Sequence, residues 1–183
     1  MSRHDVDKSR FLSLVLRHKP ETIGVQLDEN GWVEVDVLLA ALEAHGKTLS
    51  RTDLDRLVKE NDKQRFAFNS DGTRIRANQG HSVEVDLALE AETPPERLYH
   101  GTVERFLGSI FCEGLIKGDR HHVHLSPNLE TAVRVGQRRG NPVVLEIASG
   151  EMHRAGHTFW LSGNGVWLVD HVPPQYLGRL ELP

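Results

Sequence analysis

The spacing of apolar residues predicts three helices in the first sixty positions of the chain. In the first helix apolar residues recur every three or four positions, and Pro20 ends the pattern because proline does not continue a helix. Asp36 is placed to cap the second helix and Gly46 to end it, whereas Ser50 or Thr52 is placed to begin the third. We therefore predict helices over residues 7–17, over 36–44, and from 50 or 52 to about 61.

Beyond the third helix the pattern changes to the alternation that is typical of strands. Residues 65–68 and 73–76 flank a polar turn at 69–72 that contains Asp-Gly, and this order predicts a β-hairpin. Three helices followed by a hairpin are the element order of a winged helix. Residues 83–89 also alternate and predict a further strand, and the acidic segment 90–96 with two adjacent prolines predicts a linker.

The remaining residues predict a second, strand-rich unit that begins near Arg97. Helices are predicted from 103 to 113 and from 129 to about 138. The predicted strands are 98–100, 123–125, 143–147, 166–169 and 177–182. We therefore expect an α+β protein with a first domain over 1–82, a strand and linker over 83–96, and a second domain over 97–183.

Composition places the chain among globular proteins, with 38% hydrophobic and 26% charged residues in a length of 183. That length allows one domain of ordinary size or two small ones. The first ten residues are polar and charged, unlike a secretory signal peptide, and no apolar run is long enough for a membrane span. Because Cys112 is the only cysteine, no internal disulfide is possible, and we expect a cytoplasmic protein. Net charge and surface pattern leave the oligomeric state open, and a monomer is the default expectation.

The charge distribution argues against a protein that coats nucleic acid by bulk electrostatics. The formal net charge is −4, and residues 1–80 carry 13 Lys and Arg against 13 Asp and Glu. Near-neutral charge in the predicted winged helix also argues against a DNA-binding regulator, which is one alternative for this element order. Any phosphate site must therefore be local. The densest basic groups are Lys63, Arg65, Arg74 and Arg76, and then Arg138 and Arg139.

Three polar segments of the first half each allow an ordinary and a functional interpretation. Arg17 and His18 end an apolar helix, where cations commonly complement the helix dipole, but where the pair could also grip a phosphate. Lys63 and Arg65 lie in a loop that is either simply solvated or directed at a polyanion. Residues 79–82 form either an ordinary turn or a contact to phosphate or ribose.

The second half offers similar choices. His100, Gly101 and Thr102 lie between a predicted strand and helix, where they would suit a ribose or pyrophosphate, although a buried histidine is the ordinary alternative. His122 and His124 would share one face of a strand, but no nearby cysteine or carboxylate completes a metal site. The Rossmann, Walker A and GxSxG patterns are all absent, so a bound dinucleotide would require a different fold.

Taken together, these segments resemble the RNA 2′-phosphotransferase family, also called tRNA 2′-phosphotransferase. The resemblance covers nearly the whole chain, and six short motifs occur in the family's order. One departure is Arg139, where the family is expected to have histidine. The motifs are FLSLVLRHKP at 11–20, NDKQRF at 61–66, QGHS at 79–82, LYHGT at 98–102, HLS at 124–126 and VGQRRG at 135–140.

The resemblance implies a winged-helix RNA-binding lobe joined to an NAD-binding lobe related to ADP-ribosyltransferases. It implies transfer of an internal RNA 2′-phosphate to NAD, as in tRNA splicing and RNA repair, with nicotinamide, 2′-hydroxyl RNA and ADP-ribose 1″,2″-cyclic phosphate as products. The intermediate would be an ADP-ribosylated RNA 2′-phosphate, and the chemistry requires no metal. The four catalytic positions that the resemblance implies are Arg17, His18, Arg65 and Arg138.

The same resemblance assigns the remaining site residues. A transferase that leaves ADP-ribose on protein or on nucleic-acid ends is the other alternative, but it has no particular need for Arg17, His18 and Arg65 together. The expected NAD contacts are His100, Gly101, Thr102, His124 and Ser126, and the expected RNA contacts are Lys63, Arg74, Arg76, His81 and Ser82.

Overall fold

The computed structural model describes residues 3–61 and 63–181 and divides the chain into two compact units, Met1–Ala88 and Leu89–Pro183. Mixed helix and strand content in the structure confirms the α+β class. Asp62 of the NDKQRF motif lies outside the described residues. Among the described helices, none combines the length and apolar character that crossing a membrane requires.

The first unit contains the three predicted helices. Ser50 caps the third, because its Oγ accepts a hydrogen bond from the Asp53 backbone N–H at 3.1 Å. The prediction that Asp36 caps the second is wrong: a short strand leads directly into that helix, so Glu34 occupies the cap position and makes no side-chain cap bond. The elements are α1 (Arg3–Arg17), β1 (Val33–Glu34), α2 (Val35–Ala44), α3 (Arg51–Lys59), β2 (Phe66–Phe68) and β3 (Arg74–Ala77).

The predicted hairpin is confirmed and belongs to a three-stranded antiparallel sheet in the order β1-β3-β2. Phe66 pairs with Ala77, and Val33 of β1 pairs with Ile75 on the other edge of β3. One apolar core joins this sheet to the three helices. Its fully buried members include Leu12, Leu16, Leu38, Leu42, Leu54, Leu57 and Ile75.

The strand predicted over residues 83–89 does not form. Side-chain burial does alternate along this segment, since Val85 is buried while its neighbours Glu84 and Asp86 are exposed. However, the segment makes only isolated hydrogen bonds, such as the one from Asp86 N to Glu29 O at 2.7 Å, and no ladder. The segment therefore packs as extended chain along the first unit.

The second unit is built from three helices and eight strands that the structure describes. The helices are α4 (Leu107–Glu113), α5 (Leu129–Gly136) and α6 (Ser149–Arg154). The strands are β4 (Leu98–Val103), β5 (Leu115–Ile116), β6 (Val123–Leu125), β7 (Pro142–Ile147), β8 (Trp160–Leu161), β9 (Trp167–Val169), β10 (His171–Val172) and β11 (Leu177–Leu180). They form two three-stranded antiparallel sheets, ordered β11-β7-β4 and β6-β9-β8, and a two-stranded pair, β10-β5. The core of this unit includes Leu98, Leu145, Ile147, Met152 and Phe159.

The predicted strands of this unit are present, but several boundaries differ. The first extends to Val103 rather than residue 100, because all six residues of β4 pair with β7. Helix α4 therefore begins only at Leu107, after a single 3-10 turn. The segment after Ile147, expected as a loop, contains α6 and β8. The last strand ends at Leu180, and residue 182 of the prediction lies outside the described residues.

Candidate active site

The end of α1 gathers the polar residues that the first-unit motifs singled out. Leu12, Val15 and Leu16 are buried in the core, which leaves Arg17 half-buried at the last helical position and His18 exposed beyond it. Arg17 reaches the loop before β2, where its guanidinium donates to the Arg65 backbone oxygen at 3.5 Å. The structure therefore places Arg17, His18 and the loop that carries Arg65 at the same end of α1.

A buried amide orients the Arg65 side chain. Its guanidinium donates to Asn61 Oδ1 and to Ser9 Oγ, each at 3.4 Å. Asn61 Nδ2 in turn donates to Ser9 Oγ at 3.2 Å, and Asn61 Oδ1 also accepts from the Lys63 backbone N–H at 3.0 Å. Asn61 and Ser9 are both buried, so the Arg65 side chain is fixed by one residue of helix α1 and one residue of its own loop.

The loop over residues 79–82 returns to the same helix end. Gly80 has a φ of 85°, a left-handed conformation that favours glycine. After this turn His81 is buried and Ser82 is exposed, with its Oγ 2.9 Å from His18 Nδ1. The Ser82 backbone N–H donates to the Arg17 carbonyl at 2.8 Å. Helix α1 and this loop therefore share two contacts at adjacent positions.

The other predicted RNA contacts have different surroundings. Lys63 is exposed. Arg74 pairs with Glu34 at 2.7 Å, and this hydrogen bond and charge raise the pKa of Arg74. The structure thus gives Arg74 a carboxylate partner within the unit.

Arg76 is half-buried and has internal partners. Its guanidinium lies 4.5 Å from the ring centroid of Trp32 and donates to Leu87 O at 3.2 Å. Burial lowers the pKa of this side chain, and the charge of Asp28 opposes that effect. These contacts tie the segment after residue 83 to the sheet and indicate a structural position for Arg76.

In the second unit, His100 lies within β4 rather than at a helix start. The Tyr99 and Ser126 backbones exchange two hydrogen bonds, which brings the HLS segment beside β4. His100 Nδ1 donates to the His124 carbonyl at 3.0 Å, since a carbonyl only accepts. Burial lowers the pKa of His100, the bond to His124 opposes this effect, and the charges of Arg139 and Arg120 add to it. The neutral ring therefore presents Nε2 as an acceptor.

Gly101 and Gly136 allow β4 and α5 to approach closely. A Cβ on Gly101 would lie 1.8 Å from the Ala132 carbonyl oxygen, and one on Gly136 would lie 2.7 Å from the Thr102 carbonyl oxygen. The Thr102 side chain is buried. The Ser126 hydroxyl donates to Asn128 O at 2.9 Å and shapes the turn before α5. Gly101 and Thr102 therefore support the site by packing.

Three arginines cluster in this region: the charges of Arg120 and Arg139 act on His100, and the charge of Arg138 acts on Arg120. Arg120 donates to His124 Nδ1 at 3.2 Å, and partial burial and the charges of Arg139 and Arg138 lower the pKa of Arg120. Arg138 and Arg139 are exposed at the end of α5. Among the described residues no carboxylate lies within 4.0 Å of any of the three. Other arginines of this unit do have carboxylate partners: Arg97 pairs with Glu146, Arg154 with Glu96 and Arg179 with Glu104.

Arg120 is a site residue that the sequence motifs do not predict. It belongs to no motif and lies in the loop before β6, where an isolated arginine has no sequence signal. Its place in the site depends on the pairing of Tyr99 with Ser126, which is a long-range contact. The three uncompensated cations and the His100 acceptor form a site suited to a polyhydroxylated anion.

Comparison with known proteins shows the family of this chain. Residues 3–171 match the family described as RNA 2′-phosphotransferase, Tpt1/KptA family. A probable RNA 2′-phosphotransferase of Streptomyces coelicolor is 58% identical over 172 residues, which cover 94% of this chain and 93% of that protein. A probable RNA 2′-phosphotransferase of Hahella chejuensis is 53% identical over 174 residues, covering 95% of this chain and 94% of that protein. This chain belongs to the RNA 2′-phosphotransferase family.

Proposed function

We propose that this protein removes an internal 2′-phosphate from RNA by transferring it to NAD. The observation that carries the proposal is the gathering of Arg17, His18 and Arg65 at the end of α1, in a chain of this family. Two guanidinium groups and an imidazole are the donors that a phosphate dianion requires. The buried Asn61 beneath Arg65 fixes one of these donors in place.

We propose that the second unit binds NAD. The fit rests on its donor set, since Arg120, Arg138 and Arg139 have no carboxylate partner among the described residues and suit a pyrophosphate. His100 offers an unprotonated Nε2, which suits a ribose hydroxyl. NAD supplies an electrophilic ribose carbon whose leaving group, nicotinamide, departs as a neutral molecule.

The proposed reaction has two steps. First, a 2′-phosphate oxygen forms a bond to C1″ of the nicotinamide ribose as the bond to nicotinamide breaks, through a transition state like that of glycoside cleavage. Second, the 2″-hydroxyl loses its proton to solvent as O2″ attacks phosphorus, and the bond from phosphorus to the RNA 2′-oxygen breaks. The 2′-oxygen leaves with a proton, and ADP-ribose 1″,2″-cyclic phosphate forms.

The residues take distinct parts in these steps. Arg17 and Arg65 hold the phosphate in line for the first step, which is positioning work. His18 gives the proton to the leaving 2′-oxygen in the second step. Charge builds on phosphate oxygens there, so fixed guanidinium groups lower the barrier. Arg138 is the second-unit cation proposed from the sequence, and the partly buried Arg120 is the one that the structure adds.

The test is incubation of the protein with NAD and an oligonucleotide that carries one internal 2′-phosphate. Mass spectrometry should find nicotinamide, the 2′-hydroxyl oligonucleotide and ADP-ribose 1″,2″-cyclic phosphate in equal amounts. The same oligonucleotide without the 2′-phosphate is the substrate control. Release of inorganic phosphate without NAD would overturn the transfer, and ADP-ribose that stays on the RNA as final product would overturn the second step.

Two variants assign the roles. Arg17→Ala should abolish turnover, whereas Arg10→Ala, an exposed residue of the same helix, should behave like the wild type. His18→Ala should accumulate the ADP-ribosylated RNA, because it leaves the first step intact. If no intermediate builds up in His18→Ala, His18 does not act in the second step.

A further inference from the structure

We propose that Ser82 is a positioning residue for His18 rather than a contact to RNA. The inference rests on the proposed function, since it concerns the histidine that serves the second step. Ser82 Oγ lies 2.9 Å from His18 Nδ1. The two residues are 64 positions apart in the chain, so the contact is a product of the fold and not of local geometry.

The Ser82 backbone is fixed on the residue next to His18. The backbone N–H groups of Ser82 and Val83 both donate to the Arg17 carbonyl, at 2.8 and 3.3 Å. His81, the preceding residue, is buried, and the left-handed turn at Gly80 sends its ring inward while leaving Ser82 at the surface. The serine hydroxyl therefore approaches the imidazole from a fixed point of the backbone.

The His18 backbone is fixed in the same way. Its N–H donates to the Leu14 carbonyl at 3.0 Å, which continues the hydrogen-bond pattern of α1 by one residue. With both backbones held, the imidazole ring is oriented by the hydroxyl at Nδ1. The Nε2 atom then lies on the side of the ring away from Ser82.

The chemistry favours a hydroxyl at this place. A histidine that passes a proton through Nε2 carries hydrogen on Nδ1 both before and after the transfer. A serine oxygen accepts from Nδ1–H in either state, since a hydroxyl has two acceptor lone pairs. Ser82 therefore holds one tautomer and one ring orientation throughout the second step, without taking part in the proton transfer itself.

The first experiment compares Ser82→Ala with Ser82→Thr under single-turnover conditions. Loss of one hydrogen bond should slow the second step about tenfold in Ser82→Ala. The ADP-ribosylated RNA should then accumulate, with KM for the 2′-phosphorylated oligonucleotide unchanged. Ser82→Thr keeps the hydroxyl and should restore the rate. Ser70→Ala, at the exposed tip of the hairpin, is the matched control.

The outcomes separate the alternatives. A raised KM with no accumulation of intermediate would show that Ser82 binds RNA directly, and it would overturn the proposal. Turnover of Ser82→Ala at the wild-type rate would also overturn it, while the proposed function would stand.

The second experiment does not depend on the reaction. Nitrogen-15 NMR of histidine-labelled protein, with His18→Ala used for assignment, should show the neutral His18 ring protonated at Nδ1. In Ser82→Ala this preference should fall, and in Ser82→Thr it should return. An Nε2-protonated His18 in the wild type would refute the positioning role even if no 2′-phosphate were ever removed.

Discussion

Replacing Gly101 by alanine tests how closely β4 and α5 pack beneath the proposed NAD site. The new Cβ would lie 1.8 Å from the Ala132 carbonyl oxygen and 2.8 Å from the Gly136 nitrogen. Both are backbone atoms of α5, so no side-chain rotation relieves the overlap. Helix α5 would have to move away from β4 as a body, and the interface between them would open.

The cost follows from this geometry. Overpacking a core typically costs 1–3 kcal/mol, and a clash with backbone belongs at the upper end, at about 3 kcal/mol. In a domain of this size each kcal/mol lost from the free energy of unfolding lowers Tm by roughly 4–8 °C. The Tm of the second unit should therefore fall by roughly 12–24 °C. Scanning calorimetry measures this directly. Because Gly101 does not have a positive φ, the change isolates the clash from backbone strain.

Gly108→Ala is the matched control. Gly108 lies in α4, and a Cβ there would meet no heavy atom within 4 Å. Alanine in that helix should leave Tm unchanged or raise it, since glycine costs roughly 0.5–1 kcal/mol relative to alanine in a helix. A Gly101→Ala protein that unfolds within about 1 °C of the wild type would refute the packing described for β4 and α5.

Three further predictions concern the site residues. Asn61→Ala should lower turnover about tenfold, because Arg65 loses a buried acceptor, and unchanged single-turnover rates would contradict this. Since the folded state lowers the pKa of His100, the unfolded state binds more protons in acid, so stability should fall below about pH 6.5. Denaturant unfolding from pH 7 to 5 measures this fall, and His100→Gln should reduce it. Arg120→Ala should lower turnover at least as much as Arg138→Ala; a near-normal rate would remove Arg120 from the reaction.

Local patterns were sufficient wherever one residue decides a local structure. The apolar spacing that predicts α1 is confirmed by the burial of Leu12, Val15 and Leu16. Ser50 caps α3 as its position predicts. The predicted cap at Asp36 is wrong because Val33 and Glu34 pair with β3. After this pairing the helix begins at Val35, one residue before Asp36.

Sequence patterns were insufficient where a contact with a distant segment of the chain determines the local structure. Alternation over residues 83–89 looks like a strand because it reports burial on one side, but no neighbouring strand offers a ladder there. The sequence also does not reveal the internal partners of Arg74 and Arg76. The ion pair of Arg74 with Glu34 and the stacking of Arg76 on Trp32 depend on β1 lying beside β3.

The arginines of the second unit show why a functional site is hard to recognise from composition. This unit has an excess of acidic residues, and several of its arginines are paired with glutamates at 2.8–3.0 Å. The charges of Arg138 and Arg139 instead repel that of the partly buried Arg120 and contribute to lowering its pKa. A bound polyanion would remove that repulsion. This arrangement would suit the proposed dinucleotide, and the folded structure distinguishes these three arginines from the three that are paired with glutamates.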